Sequence, residues 1–293
     1  MRSSSNYRGR QGETDSSKAK NKKCNCGPGK GVLYILGIGP GSMEHLSKRA
    51  ADVIDTVDVI AGYGTYLDLI RPLIKEKEII SSGMTKEIDR VKQAIETALS
   101  GKSCALVSSG DPGIYAMAGL AFEICKKMGI SIIRAEREKR EINGKPALPL
   151  SIIPGIPALC SGASLLGAPL THDFAVISLS DLLTPWEIIE KRLESAAQAD
   201  FVIVLYNPKS KRRSENLNKA QEIILKYRPG STPVGIVVGA MRKNQDVKIV
   251  QLEDLHTAYV DMQTTLFIGS TMSCQYSDFM FTPRGYSGKY SME

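Results

Sequence analysis

Short apolar runs alternate with amphipathic stretches from Val32 onward. Val32–Leu36 is an apolar run that ends in Gly37-Ile38-Gly39-Pro40-Gly41. Ser42 is then placed to cap a helix through about Ile54, with Leu46, Ala50, Val53 and Ile54 on one face. Val57–Ala61 reads as a second strand, leading through Gly62-Tyr63-Gly64-Thr65-Tyr66 into a short helix, and Glu78–Ile80 as a third, short strand. Ile88, Val91, Ile95, Ala98 and Leu99 recur at helical spacing. Ser103–Val107 is the next strand, and Ile114, Met117, Ala118, Ala121 and Phe122 predict a helix from Ile114 to Ile124. Ile130–Arg134 follows as a strand. The charged segment 135–149 carries Asn143-Gly144, a favoured hairpin turn, and reads as a surface excursion returning to the strand Ser151–Ile153. Strand and helix alternate throughout, which predicts an α/β fold with a mainly parallel sheet. Ligands of such sheets bind beyond the carboxyl ends of the strands.

The second half has a different texture. The small residues Ala158–Leu166 form a helix that allows close approach of either a neighbouring helix or a ligand. Phe174–Leu179 is a strand, and Thr184-Pro185-Trp186-Glu187 reads as a capping box for a helix with Ile189, Leu193 and Ala196 on its core face. Phe201–Leu205 is an apolar strand ending at Tyr206-Asn207-Pro208, and Leu217, Ala220, Ile224 and Tyr227 mark another helix. Val234–Val238, Lys248–Leu252 and Thr265–Ile268 are further strands. A smaller α+β domain is expected from about Pro157.

Three strand-to-helix loops hold glycine and proline: Gly37–Gly41, Ser108–Gly113 and Pro154–Pro157. Such loops turn sharply and let a ligand meet bare backbone. The first loop invites a dinucleotide reading, but its third glycine comes too early, and Pro40 removes an N–H where a phosphate needs a donor. A ligand without phosphates suits it better. Asp111 either holds a hydroxyl or positive group of a ligand or caps the following helix.

The 293 residues carry a net charge of +7, but residues 1–30 hold eight Lys/Arg against Glu13 and Asp15, leaving +1 for the rest. This basic, polar tail is expected to be disordered and reads as a solvated extension; contact with nucleic acid is the rival reading. No apolar run approaches the length of a membrane span, and residues 1–30 resemble neither a signal nor a transit peptide, so the expected compartment is the cytoplasm with no membrane partner. Cys24-Asn25-Cys26 supplies half of a tetrahedral metal site, and no other Cys or His cluster completes it, so no metal is expected.

The order and spacing of Gly37-Ile38-Gly39-Pro40-Gly41, Ser109-Gly110-Asp111-Pro112, Pro154-Gly155-Ile156 and Tyr206-Asn207-Pro208 resemble the tetrapyrrole methylases that use S-adenosyl-L-methionine. Within that family, Gly167–Glu187, Leu205–Arg213 and Phe281–Tyr286 look most like the precorrin-3B C-17 methyltransferases of cobalamin biosynthesis. The resemblance implies a two-domain, kidney-shaped fold, 31–156 and 157–293, usually a homodimer, with the cofactor in the cleft between domains. It implies that Pro40, Ser109, Gly110, Asp111, Ile114, Pro157, Ala158, Tyr206, Asn207, Gly239, Thr264 and Thr265 surround S-adenosyl-L-methionine. Ser42 stands where relatives often have an acidic residue, and Pro157 where many have Thr. The substrate it implies is a precorrin or cobalt-precorrin, with no nucleic acid as partner.

Methyl transfer needs alignment and exclusion of water more than a catalytic triad, because the cofactor carries the reactivity. The peripheral carboxylates of a tetrapyrrole suit charge-assisted pairs with Lys209, Lys211, Arg212 and Arg213, the alternative being a solvated helix start, where a run of cations is unfavourable. By the resemblance, Ser180 and Asp181 join Lys209, Arg212 and Arg213 at the substrate. It also places His172 and Asp173 on the substrate side, where a base or proton relay acts, the alternative being a local cap and ion pair. Tyr63 either faces the cleft or belongs to the core.

Overall fold

The computed structural model describes residues 31–210 and 214–291. The basic tail with Cys24 and Cys26, and the cations Lys211, Arg212 and Arg213, lie outside these residues. The first sheet is built from β1 (Leu33–Gly37), β2 (Val59–Tyr63), β3 (Glu78–Ser82), β4 (Cys104–Ser108) and β5 (Ile132–Arg134), followed by a surface hairpin of β6 (Glu141–Ile142) and β7 (Lys145–Pro146), and then β8 (Leu148–Ile153). Its order is β3-β2-β4-β1-β8-β5, and every pairing is parallel. The hairpin turns at Asn143 and Gly144, both with positive φ, as the dipeptide predicts.

Helices α1 (Lys48–Thr56), α2 (Gly64–Leu69), α3 (Glu87–Leu99) and α4 (Met117–Lys127) cover this sheet. Along β1 the side chains alternate. Leu33 and Ile35 pack with Val91, Ala94 and Ile95 of α3 and Ala121 of α4. Tyr34 and Leu36 pack with Ala50, Val53 and Ile54 of α1. Both faces are buried, so the strand is apolar throughout rather than alternating with polar residues.

The chain leaves β1 towards β2 on one side of the sheet and leaves β4 towards β5 on the other. β1 and β4 are neighbours, with Gly37 opposite Ser108. The crevice at their carboxyl ends is therefore the topological switch point, where open α/β sheets bind their ligands.

The second sheet follows α5 (Ala158–Leu166) and the short β9 (Gly167–Ala168). It comprises β10 (Phe174–Ser178), β11 (Val202–Tyr206), β12 (Pro233–Val238), β13 (Asp246–Gln251) and β14 (Thr264–Ile268), in the order β10-β11-β14-β12-β13. β10 and β11 are parallel, and the remaining pairings are antiparallel. Helices α6 (Trp186–Gln198) and α7 (Asn216–Leu225) bury one face through Ile189, Leu193, Leu217 and Ile224. α5 covers the other face, where Leu166 meets Val204, Val237 and Phe267. A final hairpin of β15 (Cys274–Tyr276) and β16 (Phe279–Phe281) pairs with β9. No helix of the described residues is long and apolar enough to cross a membrane.

The small residues of α5 serve this sheet rather than a neighbouring helix. A Cβ on Gly162 would stand 2.7 Å from the Phe267 ring, and one on Gly235 only 2.3 Å from Leu166. Two expected caps are also replaced. Ser42 heads a separate turn, Met43–His45, and Ser47 caps α1 by accepting from Ala50 N–H at 3.1 Å. The Thr184 capping box does not form, because Pro185, extended at φ −53° and ψ 145°, is itself the N-cap of α6.

Close backbone contact predicts opposite outcomes at two glycines. A Cβ on Gly155 would lie 2.2 Å from the Gly110 carbonyl oxygen, which no side-chain rotation relieves. Gly155→Ala is expected to lower unfolding free energy by about 1–3 kcal/mol. Gly119 in α4 meets nothing within 4 Å, so Gly119→Ala is expected to raise it by about 0.5–1 kcal/mol. Urea melts of the two variants check both signs.

Candidate functional site

Three loops converge at the switch point. Gly39 and Gly110 form a two-way backbone bridge, with Gly39 N–H donating to Gly110 at 3.2 Å and Gly110 N–H donating to Gly39 at 2.8 Å. Both have positive φ, +68° and +67°, which glycine adopts without steric cost. Behind the bridge, a Cβ on Gly37 would stand 2.4 Å from the Gly110 oxygen and 2.8 Å from Gly155 N. The third loop is thus packed directly onto the first two.

Asp111 fastens this junction. One carboxylate oxygen accepts from Gly113 N–H at 2.8 Å and the other from Gly155 N–H at 3.2 Å. Both oxygens therefore serve the loops, and Asp111 caps no helix. Ile114 closes a turn back to the Asp111 carbonyl, and Tyr115 has φ +51°. That left-handed residue breaks the expected continuity, so the helix begins at Met117 instead of Ile114.

The second sheet brings its β10, β11 and β12 carboxyl ends and the β14 amino end to the same place, as the pairings of Ser178 with Tyr206 and of Val238 with Thr264 require. Tyr206 is the link. Its hydroxyl accepts from Leu159 N–H at 2.8 Å, satisfying a donor in the first turn of α5, and its ring lies 5.3 Å from that of Tyr115. Pro157 and Ala158, which open α5, lie 3.7 and 3.8 Å from where a Gly110 Cβ would be. Asn207, at φ +53°, donates through its side-chain amide to Ser178 Oγ at 2.9 Å. Tyr115 donates its hydroxyl proton to the Val176 carbonyl at 3.0 Å, so the second loop also touches β10. Burial pushes the Tyr206 phenol up to about 12, with the Leu159 N–H acting against it, and the group stays neutral in the working range.

The most direct bridge between the sheets comes from Arg242, in the turn after β12. Its Nε donates to the Pro40 carbonyl at 2.6 Å and its Nη2 to Ser109 Oγ at 2.8 Å. Burial lowers its pKa, with nearby Tyr66 acting the other way. Tyr66 is itself raised, chiefly by burial, and stands edge-on to Tyr63 with ring centroids 5.3 Å apart.

The structure therefore gathers Pro40, Ser109, Gly110, Asp111, Ile114, Pro157, Ala158, Tyr206, Asn207 and Gly239 around one crevice, with Tyr63 at the carboxyl end of β2 on its rim. Thr264 and Thr265 are at the same end of the second sheet but point to opposite faces. The Thr264 hydroxyl is engaged with Asp261 at 2.9 Å, whereas Thr265 shares the α5 side with Phe267. Ser180, whose N–H donates to Ser178 Oγ, and the exposed Asp181 and Lys209 lie just beyond the carboxyl ends of β10 and β11.

His172 and Asp173 are placed elsewhere. They precede β10 at its amino end, about 16 Å along the strand from Ser178. Both are exposed, and His172 Nδ1 accepts from the Asp173 N–H at 2.9 Å, which is the local arrangement and not a group facing the crevice. Arg242, Tyr66 and Tyr115 carry no motif; their roles depend on long-range packing and on one left-handed residue.

The tetrapyrrole (corrin/porphyrin) methylase family matches residues 32–256, and the chain belongs to it. Within that family it is 48% identical over 263 residues to a cobalt-factor III methyltransferase of Priestia megaterium, covering 90% of this chain and 46% of that protein. It is 40% identical over 256 residues to a probable cobalt-factor III C(17)-methyltransferase of Salmonella typhimurium, covering 87% of this chain and all of that one. Among solved structures, that of the methyltransferase CobJ aligns with a TM-score of 0.78 at 31% identity, over 86% of this chain and all of that chain.

Tyr206 yields a prediction with a defined sign. Its neutral form is favoured by folding, so its contribution is complete below its ordinary value of 10.0 and is lost as pH climbs towards about 12. Tyr206→Phe is expected to cost about 1 kcal/mol at pH 8, where Leu159 N–H loses its acceptor, and to flatten the fall in stability above about pH 10. Thermal melts from about pH 8 to about pH 11 compare the two proteins.

Proposed function

We propose that the chain transfers a methyl group from S-adenosyl-L-methionine to C-17 of a precorrin or cobalt-precorrin in cobalamin biosynthesis, working as a homodimer. The observation that carries this reading is the switch-point crevice, where three glycine loops from one sheet meet Tyr206, Asn207 and Arg242 from the other. The similarity to cobalt-factor III methyltransferases supports the substrate class and the cobalt-containing form of it.

The residues fit such a cofactor. Pro40 offers a carbonyl but no N–H, and the crevice is lined by backbone, hydroxyl and amide groups and the Arg242 guanidinium. A nucleoside bearing an amino acid and no phosphate matches that donor set. The bound cofactor would supply a methyl group already activated on a sulfonium. The chain then has three tasks. The bridged Gly39 and Gly110 fix the loop backbone so that donor and acceptor carbon meet in line. Neutral Tyr206 and the start of α5 close the site from the second sheet without adding a competing charge or nucleophile. Lys209, exposed at the carboxyl end of β11, receives peripheral carboxylates at the mouth.

The test is incubation of the purified chain with isotopically labelled S-adenosyl-L-methionine and a cobalt-factor III-type tetrapyrrole. Mass spectrometry is expected to find one labelled methyl on the ring. Absence of label, with calorimetry also finding no binding of S-adenosylhomocysteine, rejects the reading. Light scattering is expected to give twice the mass of the chain.

A further inference from the structure

Arg242 stands at the crevice with two of its five N–H donors committed. In a guanidinium, Nε–H and Nη2 share one edge, and Nη1 and Nη2 share the other. The first edge is spent on the Pro40 carbonyl and the Ser109 hydroxyl. The second, an end-on fork with the geometry that pairs with a carboxylate through two parallel bonds, meets no acceptor among the described residues. No carboxylate of the described residues forms an ion pair with Arg242 either. The titratable group near enough to bear on its charge is the neutral phenol of Tyr66.

A partly buried cation without a counter-charge is costly, and burial does depress its pKa. Another guanidinium held between structural elements shows the contrast: Arg228 is paired with Asp200 at 2.8 Å and also donates to the carbonyls of Ala197, Phe201 and Gly269. Arg228 is fully answered within the fold, whereas Arg242 is answered on one edge only. The committed edge reaches the first two loops, so the remaining fork lies beside them.

We propose that Arg242 is a carboxylate receptor of the crevice, its end-on fork receiving a carboxylate of a bound ligand in a bidentate pair. The proposal rests on the methyltransferase reading, which offers two sources of the same chemistry: the amino-acid carboxylate of the cofactor and a peripheral carboxylate of the tetrapyrrole. Because Pro40 and Ser109 hold the opposite edge, ligand and loops would share one rigid plane.

Three probes separate the sources, titrated into the full chain by calorimetry or absorbance. S-adenosylhomocysteine carries the amino-acid carboxylate, methylthioadenosine has the same nucleoside and thioether without it, and uroporphyrin is a tetrapyrrole octacarboxylate. In Arg242→Gln, affinity for either S-adenosylhomocysteine or uroporphyrin is expected to fall about tenfold or more, while methylthioadenosine binds as before. Which of the two falls names the source. Arg242→Lys keeps the charge but not the fork, and is expected to recover less than half of the lost binding energy. Unchanged affinity for every carboxylate ligand that the wild type binds overturns the proposal. So does an equal loss for all three probes, which would make Arg242 a support for the loops alone. A wild type that binds neither S-adenosylhomocysteine nor uroporphyrin overturns the methyltransferase reading, and this proposal with it.

Discussion

The site depends on backbone touching backbone at Gly37, Gly110 and Gly155. At these three glycines peptide packs on peptide, and a single added methyl at Gly37 or Gly155 would be driven into a peptide group. Contact this close makes the loops one unit. The Gly39–Gly110 bridge holds their forward edge, and the Asp111 carboxylate ties the second loop to the third. The position of this unit follows from the sheet order, because β1 and β4 are the neighbouring strands whose connections leave in opposite directions.

The second half of the molecule supplies polar groups that the glycine loops lack. Tyr206, Asn207 and Arg242 come from strand ends that pairing forces to one edge of the second sheet. Their hydrogen bonds run mainly to backbone or hydroxyl groups: Tyr206 to α5, Arg242 to Pro40 and Ser109, Asn207 to Ser178. Such an arrangement fixes polar groups at the strand ends, and among the described residues it contains no paired acid and base. That chemistry suits a reaction whose driving force resides in the cofactor.

Much of this was legible in the residues. Continuous apolar strands such as Leu33–Leu36 carry the mark of a sheet buried on both faces, and the Asn143-Gly144 turn announced its hairpin. The glycine loops were legible as sharp turns between strand and helix, and their convergence follows from the parallel order of the strands. What was not legible depended on long-range geometry. β8 begins at Leu148, earlier than the apolar run suggests, because Pro149 is paired only with Ile133 of β5 and loses no bond to β1. The family resemblance placed His172 and Asp173 on the substrate side, with a local cap and ion pair as the alternative, and strand direction puts them at the far end of β10. Arg242 resembled any surface arginine until the two sheets were set side by side.

The segment joining the sheets, Pro154 to Pro157, has a mechanical consequence. Linkers between lobes commonly act as hinges, but this one is secured at both ends: Gly155 N–H is held by Asp111 and Leu159 N–H by Tyr206. With a proline on either side of Gly155-Ile156, it has few torsions left to turn. It is a weld and not a joint. With both of its ends tied, this segment gives the two sheets no hinge to swing about.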